Sequence, residues 1–190
     1  MYNPIKRLLD LVVALVGLLL LSPLFALLAI AIKLDSPGPV FYRGVRIGQH
    51  GRPFRIFKFR SMVANAERMG GASVPDTDPR ITRIGLLLRK TKLDELPQLI
   101  NVLKGEMSLV GPRPEVPHYV EMFTPQERAI LTVKPGMTDW ASLWDIDEGA
   151  LLAGEPDPEQ AYMEKIRPEK IRLQLKYVQE RSLWTDLKIL

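Results

Sequence analysis

The sequence contains no cysteine and only two histidines, His50 and His118. The absence of cysteine excludes a disulfide framework and a thiolate zinc site, and so few histidines argue against an imidazole metal site. Any bound metal should therefore be held by oxygen atoms. Acidic residues are also missing between Arg43 and Arg60, a stretch that contains six lysines and arginines.

The 190 residues are enough for one domain of ordinary size and one appendage. A net charge of +4 and a pI near 9.4 predict an anionic partner. Charge alone does not distinguish nucleic acid, phospholipid and phosphorylated metabolites. The order of apolar runs, turns and periodic segments predicts an α+β fold that is mostly helical.

The appendage is N-terminal and apolar, since residues 8–32 carry a single charge, Asp10. As a helix this run would be roughly 37 Å long, enough to cross a hydrocarbon core. A cleaved signal peptide has an apolar region of about 7 to 15 residues followed by a small-residue cleavage site, and this run is longer and lacks that site. We therefore predict a permanent membrane segment over residues 1–34 and a second domain over residues 35–190.

Ser22 and Pro23 lie near the centre of the apolar run. Proline frees a backbone carbonyl and bends a helix, and a serine hydroxyl can bond that carbonyl. Cations at both ends of the run, Lys6, Arg7 and Lys33, suit a re-entrant element whose ends share one face of the membrane. A kinked helix that spans the bilayer is the equal alternative on these grounds.

Two alternating runs, VFYRGVRIG and PFRIFKFRS, follow the membrane segment and predict a β-hairpin. Its acid-free basic residues include Lys58 and Arg60. Such a ribbon could bind a phosphorylated substrate, or simply anionic headgroups of a nearby membrane. Beyond it we predict a short helix over residues 62–69, a loop over residues 70–78, and a helix opened by the capping box at Thr124.

An adjacent carboxylate pair, Asp94 and Glu95, stands in a basic and apolar segment shortly before Pro97. Because proline is tolerated only in the first turn of a helix, the helix should begin at about Leu93 or Asp94. Acids in a first turn are ordinary helix-stabilising residues. The same position near cations also suits a carboxylate that attacks phosphorus or binds a divalent cation.

Arg113 stands between Pro112 and Pro114 in the run GPRPEVP. Each proline sets its own φ and biases the preceding residue toward extended geometry. A guanidinium held in this way suits planar recognition of a phosphate or a base edge.

These segments, in this order, resemble the bacterial sugar transferase family, the small monotopic phosphoglycosyl transferases that begin glycoconjugate and exopolysaccharide assembly on polyprenyl phosphate. The resemblance covers nearly the whole chain. Its short motifs are individually unspecific, whereas the long central block is highly specific. The matching segments are KRLLDLVVALVGLLLLSP, PGPVFYRGVRIG, FKFRSM, TRIGLLLRKTKLDELPQLINVLKGEMSLVGPRP, KPGMTDWA and SLWTDLKI.

The resemblance implies that Asp94 is the nucleophile that takes a phosphosugar from a UDP-sugar and releases UMP. Polyprenyl phosphate then attacks the covalent aspartyl intermediate. Glu95 matches the second acid, which is associated with Mg²⁺ and with acid/base assistance, so Asp94 and Glu95 are the implied metal ligands. The positions implied to bind phosphates or the nucleotide are Lys58, Arg60, Arg89, Pro112, Arg113 and Pro114.

The resemblance also implies a re-entrant membrane helix broken at Ser22 and Pro23, with interfacial amphipathic helices around an active site on the cytoplasmic face of the bacterial inner membrane. Nucleic acid is then not an expected partner, and the apolar C-terminal helix could face membrane, core or another chain. The chain departs from the family's frequent residues at Lys92, Asp139 and Gln174. The competing hypothesis is a non-enzymatic anchored protein that binds anionic lipid or a partner through its basic surface.

Overall fold

The computed structural model describes residues 2–66, 69, 74–75, 77–144, 151–152 and 154–190. Its α-helices are α1 (Tyr2–Asp35), α2 (Arg83–Lys90), α3 (Gln98–Lys104), α4 (Pro117–Glu121), α5 (Trp140–Trp144), α6 (Pro158–Ala161), α7 (Arg167–Glu180) and α8 (Leu183–Ile189). Short 3₁₀ helices cover Gln49–Gly51, Leu93–Glu95 and Glu127–Thr132, and a π-helical turn, Tyr162–Ile166, joins α6 to α7. The prediction of a mostly helical chain with small sheets is confirmed.

Helix α1 runs without interruption through Pro23. Proline at this position removes the N–H that would bond the carbonyl of Leu19, and the Ser22 hydroxyl donates to that carbonyl instead, at 2.8 Å. The predicted role of the serine is confirmed, whereas the predicted break in the helix is not. By length and composition α1 could cross a membrane, and the re-entrant path stays a prediction.

One side of α1 packs against the rest of the chain along most of its length. Near its start, the Arg7 guanidinium donates to the carbonyls of Val102 and Leu103 at the C-terminal end of α3. Asp10, which is buried, accepts from the backbone N–H of Leu109 at 3.0 Å. Farther along, Ile32 packs in one apolar cluster with residues of the ribbon and of α2.

The opposite side of α1 is apolar and exposed. Its exposed large residues are Ile5, Leu8, Leu9, Val12, Val13, Leu15, Val16, Leu19, Leu20, Leu27, Ile30 and Leu34. So continuous an apolar face is what lipid contact requires. One side of the helix is therefore suited to lipid contact, and the other packs against the rest of the chain.

The predicted hairpin is present as an interrupted antiparallel ribbon. Strand β2 (Val45–Ile47) pairs with β3 (Pro53–Arg55), and β1 (Phe41–Tyr42) pairs with β4 (Lys58–Phe59). A further parallel pair joins β5 (Ser108–Val110) to β6 (Gly136–Thr138). Three-residue strands far apart in sequence carry no periodic signal, so this pair was not predicted.

Two other local predictions meet different outcomes. The capping box is confirmed, because Thr124 and Glu127 exchange hydrogen bonds between side chain and backbone, although the helix it opens is 3₁₀. The predicted helix over residues 62–69 is wrong at its start, where Met62 forms a β-bridge with Ile81 and Asn65 has a φ of 65°. Residues 67 and 68, and residues 70–73 and 76 of the predicted loop, lie outside the described part of the chain.

Replacing Gly85 with alanine should destabilise the protein, although alanine is the better helix former by about 1 kcal/mol. Gly85 lies in α2, and a Cβ there would stand 1.9 Å from the backbone oxygen of Ser61. Overpacking against backbone of this kind costs about 1–3 kcal/mol. Thermal unfolding in nanodiscs should show the loss for Gly85→Ala and none for Lys90→Ala in the same helix. An unchanged or raised midpoint for Gly85→Ala would contradict the packing described here.

Candidate active site

The carboxylate pair lies in a 3₁₀ turn, Leu93–Glu95, that precedes α3. Pro97, which has no N–H to close an α-helical turn, caps α3, so the predicted helix start at Leu93 or Asp94 is wrong by one turn. The bonds that form instead run three residues back, from Glu95 N–H to Lys92 and from Leu96 N–H to Leu93. Both acids thus lie in a tighter first turn than expected.

Lys92 introduces that turn with a left-handed backbone, at φ 56° and ψ 14°. This conformation is unfavourable for a residue with a long side chain and tends to occur at functional sites. It directs the chain out of α2 so that the pair faces the ribbon. The sequence carries no signal for this, because lysine is not a residue that favours positive φ.

Lys58 reaches the pair from β4. Its position depends on Asn101 of α3, which is fully buried and bonds the ribbon twice. The Asn101 amide oxygen accepts from the N–H of Phe57 at 2.8 Å, and its amide nitrogen donates to the carbonyl of Arg55 at 2.9 Å. The Lys58 ammonium then lies 2.9 Å from Glu95 Oε1.

Arg113 reaches the pair from the proline-flanked segment after β5. Two fully buried side chains fasten its backbone: Asp139 accepts from its N–H at 3.3 Å, and the Gln174 amide donates to its carbonyl at 3.4 Å. The carbonyl of Pro112 accepts from the N–H of Gly136 at 3.0 Å. Two of the positions that depart from the family's frequent residues therefore both contact Arg113.

Glu95 accepts four hydrogen bonds from these elements. The Arg113 guanidinium donates to both carboxylate oxygens, to Oε2 at 2.8 Å and to Oε1. Lys58 donates to Oε1 and Gln98 to Oε2, at 3.1 Å. Burial alone would raise the pKa of Glu95, but the positive charges of Arg113 and Lys58 outweigh it and hold that pKa well below its ordinary range.

Asp94 has a different environment. It is buried, and its Oδ1 has no hydrogen-bond partner in the part of the chain that the structure describes. Burial raises the pKa of Asp94 above its ordinary value, and the charge of Lys58 opposes part of that rise. The two neighbouring acids thus differ: Glu95 is an ionised carboxylate paired with two cations, and Asp94 is a more basic carboxylate.

A cavity of about 1300 Å³ opens onto both acids. Of the residues predicted to bind substrate, the cavity is lined by Lys58, Arg60, Arg89, Asp94, Glu95, Arg113 and Pro114. The polar groups on its wall are mainly cationic close to the acids, which suits an anionic ligand of the size of a nucleotide sugar.

Arg60 and Arg89 line this cavity and also bond backbone carbonyls, whereas Pro112 is not part of its lining. The Arg60 guanidinium donates to the carbonyls of Ile32, Ser36 and Pro37 and so caps the C-terminal end of α1. Arg89 lines the cavity and donates to the carbonyl of Val74 at 3.0 Å. Ser22 and Pro23 lie in α1. Substrate contact by Arg60 and Arg89 stays a prediction, and for Arg60 the contacts describe a structural role.

The oxygens of the pair fit a magnesium ion only in part. Mg²⁺ in nucleotide sites takes one or two carboxylates together with substrate phosphates. Asp94 Oδ1 fits that requirement, because it is an oxygen donor with no protein partner. Both Glu95 oxygens already bond cationic donors. No group of three or more possible metal-binding side chains occurs among the described residues, so substrate oxygens would have to complete the coordination.

Gln98, Asn101, Asp139 and Gln174 complete the site, and sequence reasoning did not assign a role to any of them. Gln98 follows Glu95 by three residues on the same turn, a spacing that predicts contact once the turn is known. Asn101 is a polar residue on the apolar side of an otherwise regular helix, which is a detectable signal. The contacts of Asp139 and Gln174 depend on distant chain segments and have no local signal.

A helix long and apolar enough to cross a membrane, together with two adjacent acids and the cations gathered beside them, fits the class of membrane-associated proteins that act on anionic ligands. The chain matches the model of the family described as bacterial sugar transferase over residues 1–190. It belongs to that family.

Three curated relatives have names that state an activity. The chain is 40% identical over 190 residues to the UDP-glucose:undecaprenyl-phosphate glucose-1-phosphate transferase of Escherichia coli K12, covering 97% of this chain and 38% of that protein. It is 40% identical over 191 residues to the UDP-N-acetylgalactosamine-undecaprenyl-phosphate N-acetylgalactosaminephosphotransferase of Aeromonas hydrophila, covering 99% and 42%. A Caulobacter vibrioides protein with the same name as the Escherichia coli one is 39% identical over 187 residues, covering 97% and 66%. The chain thus spans about two fifths of the length of the first two.

Replacing Glu95 with glutamine should destabilise the protein by about 1–3 kcal/mol near neutral pH, because the partly buried Lys58 and Arg113 would lose the counter-ion that they share. The folded-state pKa of Glu95 is lowered, so this stabilisation is complete above its unfolded pKa of about 4.3 and is lost as the pH falls through the folded value. Unfolding of wild type and Glu95→Gln, followed in chelator from pH 7 downward, should converge in acid.

The matched control is Glu155→Gln, which removes an ion pair with the largely exposed Lys165. It should change stability little at any pH. A difference between wild type and Glu95→Gln that stays constant down to the most acid pH would contradict the charge assigned to Glu95.

Proposed function

We propose that the chain transfers a sugar-1-phosphate from a UDP-sugar to polyprenyl phosphate, of which undecaprenyl phosphate is the form named in its relatives, and releases UMP. The observation that carries the proposal is the difference in environment between the two acids. Asp94 is buried with an unpartnered oxygen and a raised pKa, while Glu95 holds two cations beside it. A desolvated, basic carboxylate among phosphate-binding cations is suited to attack on phosphorus.

In the first step the ionised Asp94 attacks the β-phosphorus of the UDP-sugar. A bond forms between a carboxylate oxygen and phosphorus, the bond to the bridging oxygen breaks, and UMP leaves with the electron pair. Phosphoryl transfer depends mainly on positioning and charge neutralisation. Lys58 and Arg113 lie where they can supply both, because each is within hydrogen-bond distance of the neighbouring Glu95.

In the second step a phosphate oxygen of the lipid acceptor attacks the phosphosugar on Asp94. The carboxylate leaves and the polyprenyl diphosphate sugar forms. Two steps on one carboxylate mean that the two anionic substrates never have to occupy the site together. The exposed apolar face of α1 supports this order, since it would hold the cavity at the bilayer where a lipid phosphate arrives.

We further propose Mg²⁺ as the cofactor, held by Asp94 and by phosphate oxygens of the donor. When bound it would neutralise charge on the diphosphate. In the substrate-free protein the Glu95 oxygens are engaged by Arg113, Lys58 and Gln98, so Asp94 is the acid with an oxygen available to the ion. Glu95 would become a ligand only after these cations had moved to the donor phosphates. We assign no single sugar to the donor, since the names of the relatives include both glucose and N-acetylgalactosamine.

Asp94→Asn should abolish exchange of labelled UMP into UDP-sugar in the absence of any lipid acceptor, because exchange requires the reversible first step alone. Wild-type protein in nanodiscs should catalyse that exchange with at least one of a panel of UDP-sugars and lose it in chelator. The measurement is chromatographic separation of labelled UMP and UDP-sugar.

The control for this exchange is Asp157→Asn, which changes a helix-capping acid remote in sequence and should retain it. Exchange that survives Asp94→Asn would sink the proposed nucleophile. Acceptor-dependent UMP release without any exchange would instead favour direct transfer between the substrates. Absence of both reactions would favour the non-enzymatic, lipid-binding alternative.

The proposed localisation is the bacterial inner membrane, with the domain and both ends of α1 on the cytoplasmic face. It is supported by the contacts of α1 with the domain near both its ends, through Arg7 and through Ile32. A cysteine tag at the N-terminus should therefore resist a membrane-impermeant thiol reagent in intact spheroplasts and react after lysis. Labelling in intact spheroplasts would instead establish a spanning helix; the native chain, which lacks cysteine, gives the background.

A further inference from the structure

The Glu95 carboxylate bonds two cations, Arg113 and Lys58, that could equally bond a phosphate group. It accepts a forked pair of hydrogen bonds from the Arg113 guanidinium and a further one from the Lys58 ammonium. A guanidinium binds a carboxylate and a phosphate in the same planar, bidentate geometry. A donor phosphate that used these cations in full would therefore meet the carboxylate already in place.

Both cations line the cavity that the donor would enter. The Arg113 side chain is 31% exposed, whereas that of Glu95 is 16% exposed. The guanidinium is thus the more accessible partner of the pair, and both partners line the cavity. A second ion pair on the same wall, between Lys170 and Glu115, does not involve Arg113 or Lys58.

We propose that Glu95 is a stand-in for the donor phosphate: it neutralises Arg113 and Lys58 in the substrate-free protein and yields them when the nucleotide diphosphate binds. This inference rests on the proposed function. It explains how two cations can be held in a partly buried site before any substrate arrives, since unpaired buried charges are strongly destabilising. It also implies that Glu95 weakens donor binding, because the donor must displace the carboxylate from the two cations.

That weakening is measurable as affinity. When a site is competent for only part of the time, the apparent dissociation constant rises by the reciprocal of that fraction. Removing the carboxylate should therefore tighten binding of a diphosphate by about threefold to tenfold. A permanent ion pair, or a Glu95 that binds the metal, predicts unchanged or weaker binding.

The experiment measures UDP binding by calorimetry, in nanodiscs and chelator, to proteins that all carry Asp94→Asn so that no turnover occurs. Adding Glu95→Gln should lower the Kd for UDP by the stated factor. The matched control is Glu115→Gln, which removes the same charge from the same cavity wall and leaves Arg113 and Lys58 in place. It should change the Kd for UDP little.

A double-mutant cycle locates the effect. In an Arg113→Met background, Glu95→Gln should no longer improve UDP binding, because the shared cation is gone. Thermal unfolding checks that each variant is folded. If Glu95→Gln is not, Glu95→Asp replaces it, because the shorter acid keeps the counter-charge and cannot keep all of the hydrogen bonds that Glu95 accepts; the Kd for UDP should then still fall.

Three results would overturn the inference: a Kd for UDP that is unchanged or higher in Glu95→Gln, an equal improvement in Glu115→Gln, or an improvement that persists without Arg113. If UMP exchange by wild type is intact in those cases, the proposed function stands and only the role of Glu95 fails. If no variant binds UDP and wild type shows no exchange, both fail together.

Discussion

The site depends on one partly buried carboxylate, Glu95, and on the charges that meet there. Its four hydrogen bonds come from the ribbon, from the segment after β5 and from its own helix turn. Without this acceptor, Lys58 and Arg113 would repel each other across the cavity wall. With it, they lie beside Asp94, whose Oδ1 has no hydrogen-bond partner among the residues that the structure describes. The same interaction therefore links three elements of the tertiary structure and surrounds Asp94, the proposed nucleophile, with positive charge.

The membrane helix takes part in this arrangement. Helix α1 bonds the end of α3 through Arg7 and packs at its other end on the apolar cluster that contains Phe59 of β4. Helix α3 follows the turn that contains the carboxylate pair, and β4 contains Lys58. Under the proposed anchoring, a helix packed in this way would also set the height of the cavity relative to the bilayer. Lys6 is likewise engaged within the protein, by Asp186 at 2.7 Å.

Much of this was predictable from the residues where the signal was local. The alternation around Phe54, the capping box at Thr124 and the long apolar run each depend on neighbours a few residues away, and each element is present. The candidate acids and cations were identified individually. The helix start near Asp94 was misplaced because a proline at the cap fits a 3₁₀ turn followed by a helix as well as one longer helix.

What could not be predicted depends on contacts distant in sequence. Lys58 reaches Glu95 because Asn101 bonds the ribbon to α3. Arg113 reaches Glu95 because the side chains of Asp139 and Gln174 form hydrogen bonds with its backbone. Arg60 was grouped with the phosphate-binding cations by position, whereas its guanidinium caps α1. Charge pattern identifies candidate cations, and only the packing of the chain decides which of them meet a substrate.

The central claim is that Asp94 carries the phosphosugar. It is tested most directly by intact-mass analysis of the protein after incubation with UDP-sugar and Mg²⁺ in the absence of acceptor, followed by mapping of the modified peptide. The account predicts an adduct with the mass of one sugar phosphate, located at Asp94, that disappears when polyprenyl phosphate is added. An adduct on any other residue, or lipid-linked product formed by a protein that never carries an adduct, would contradict it.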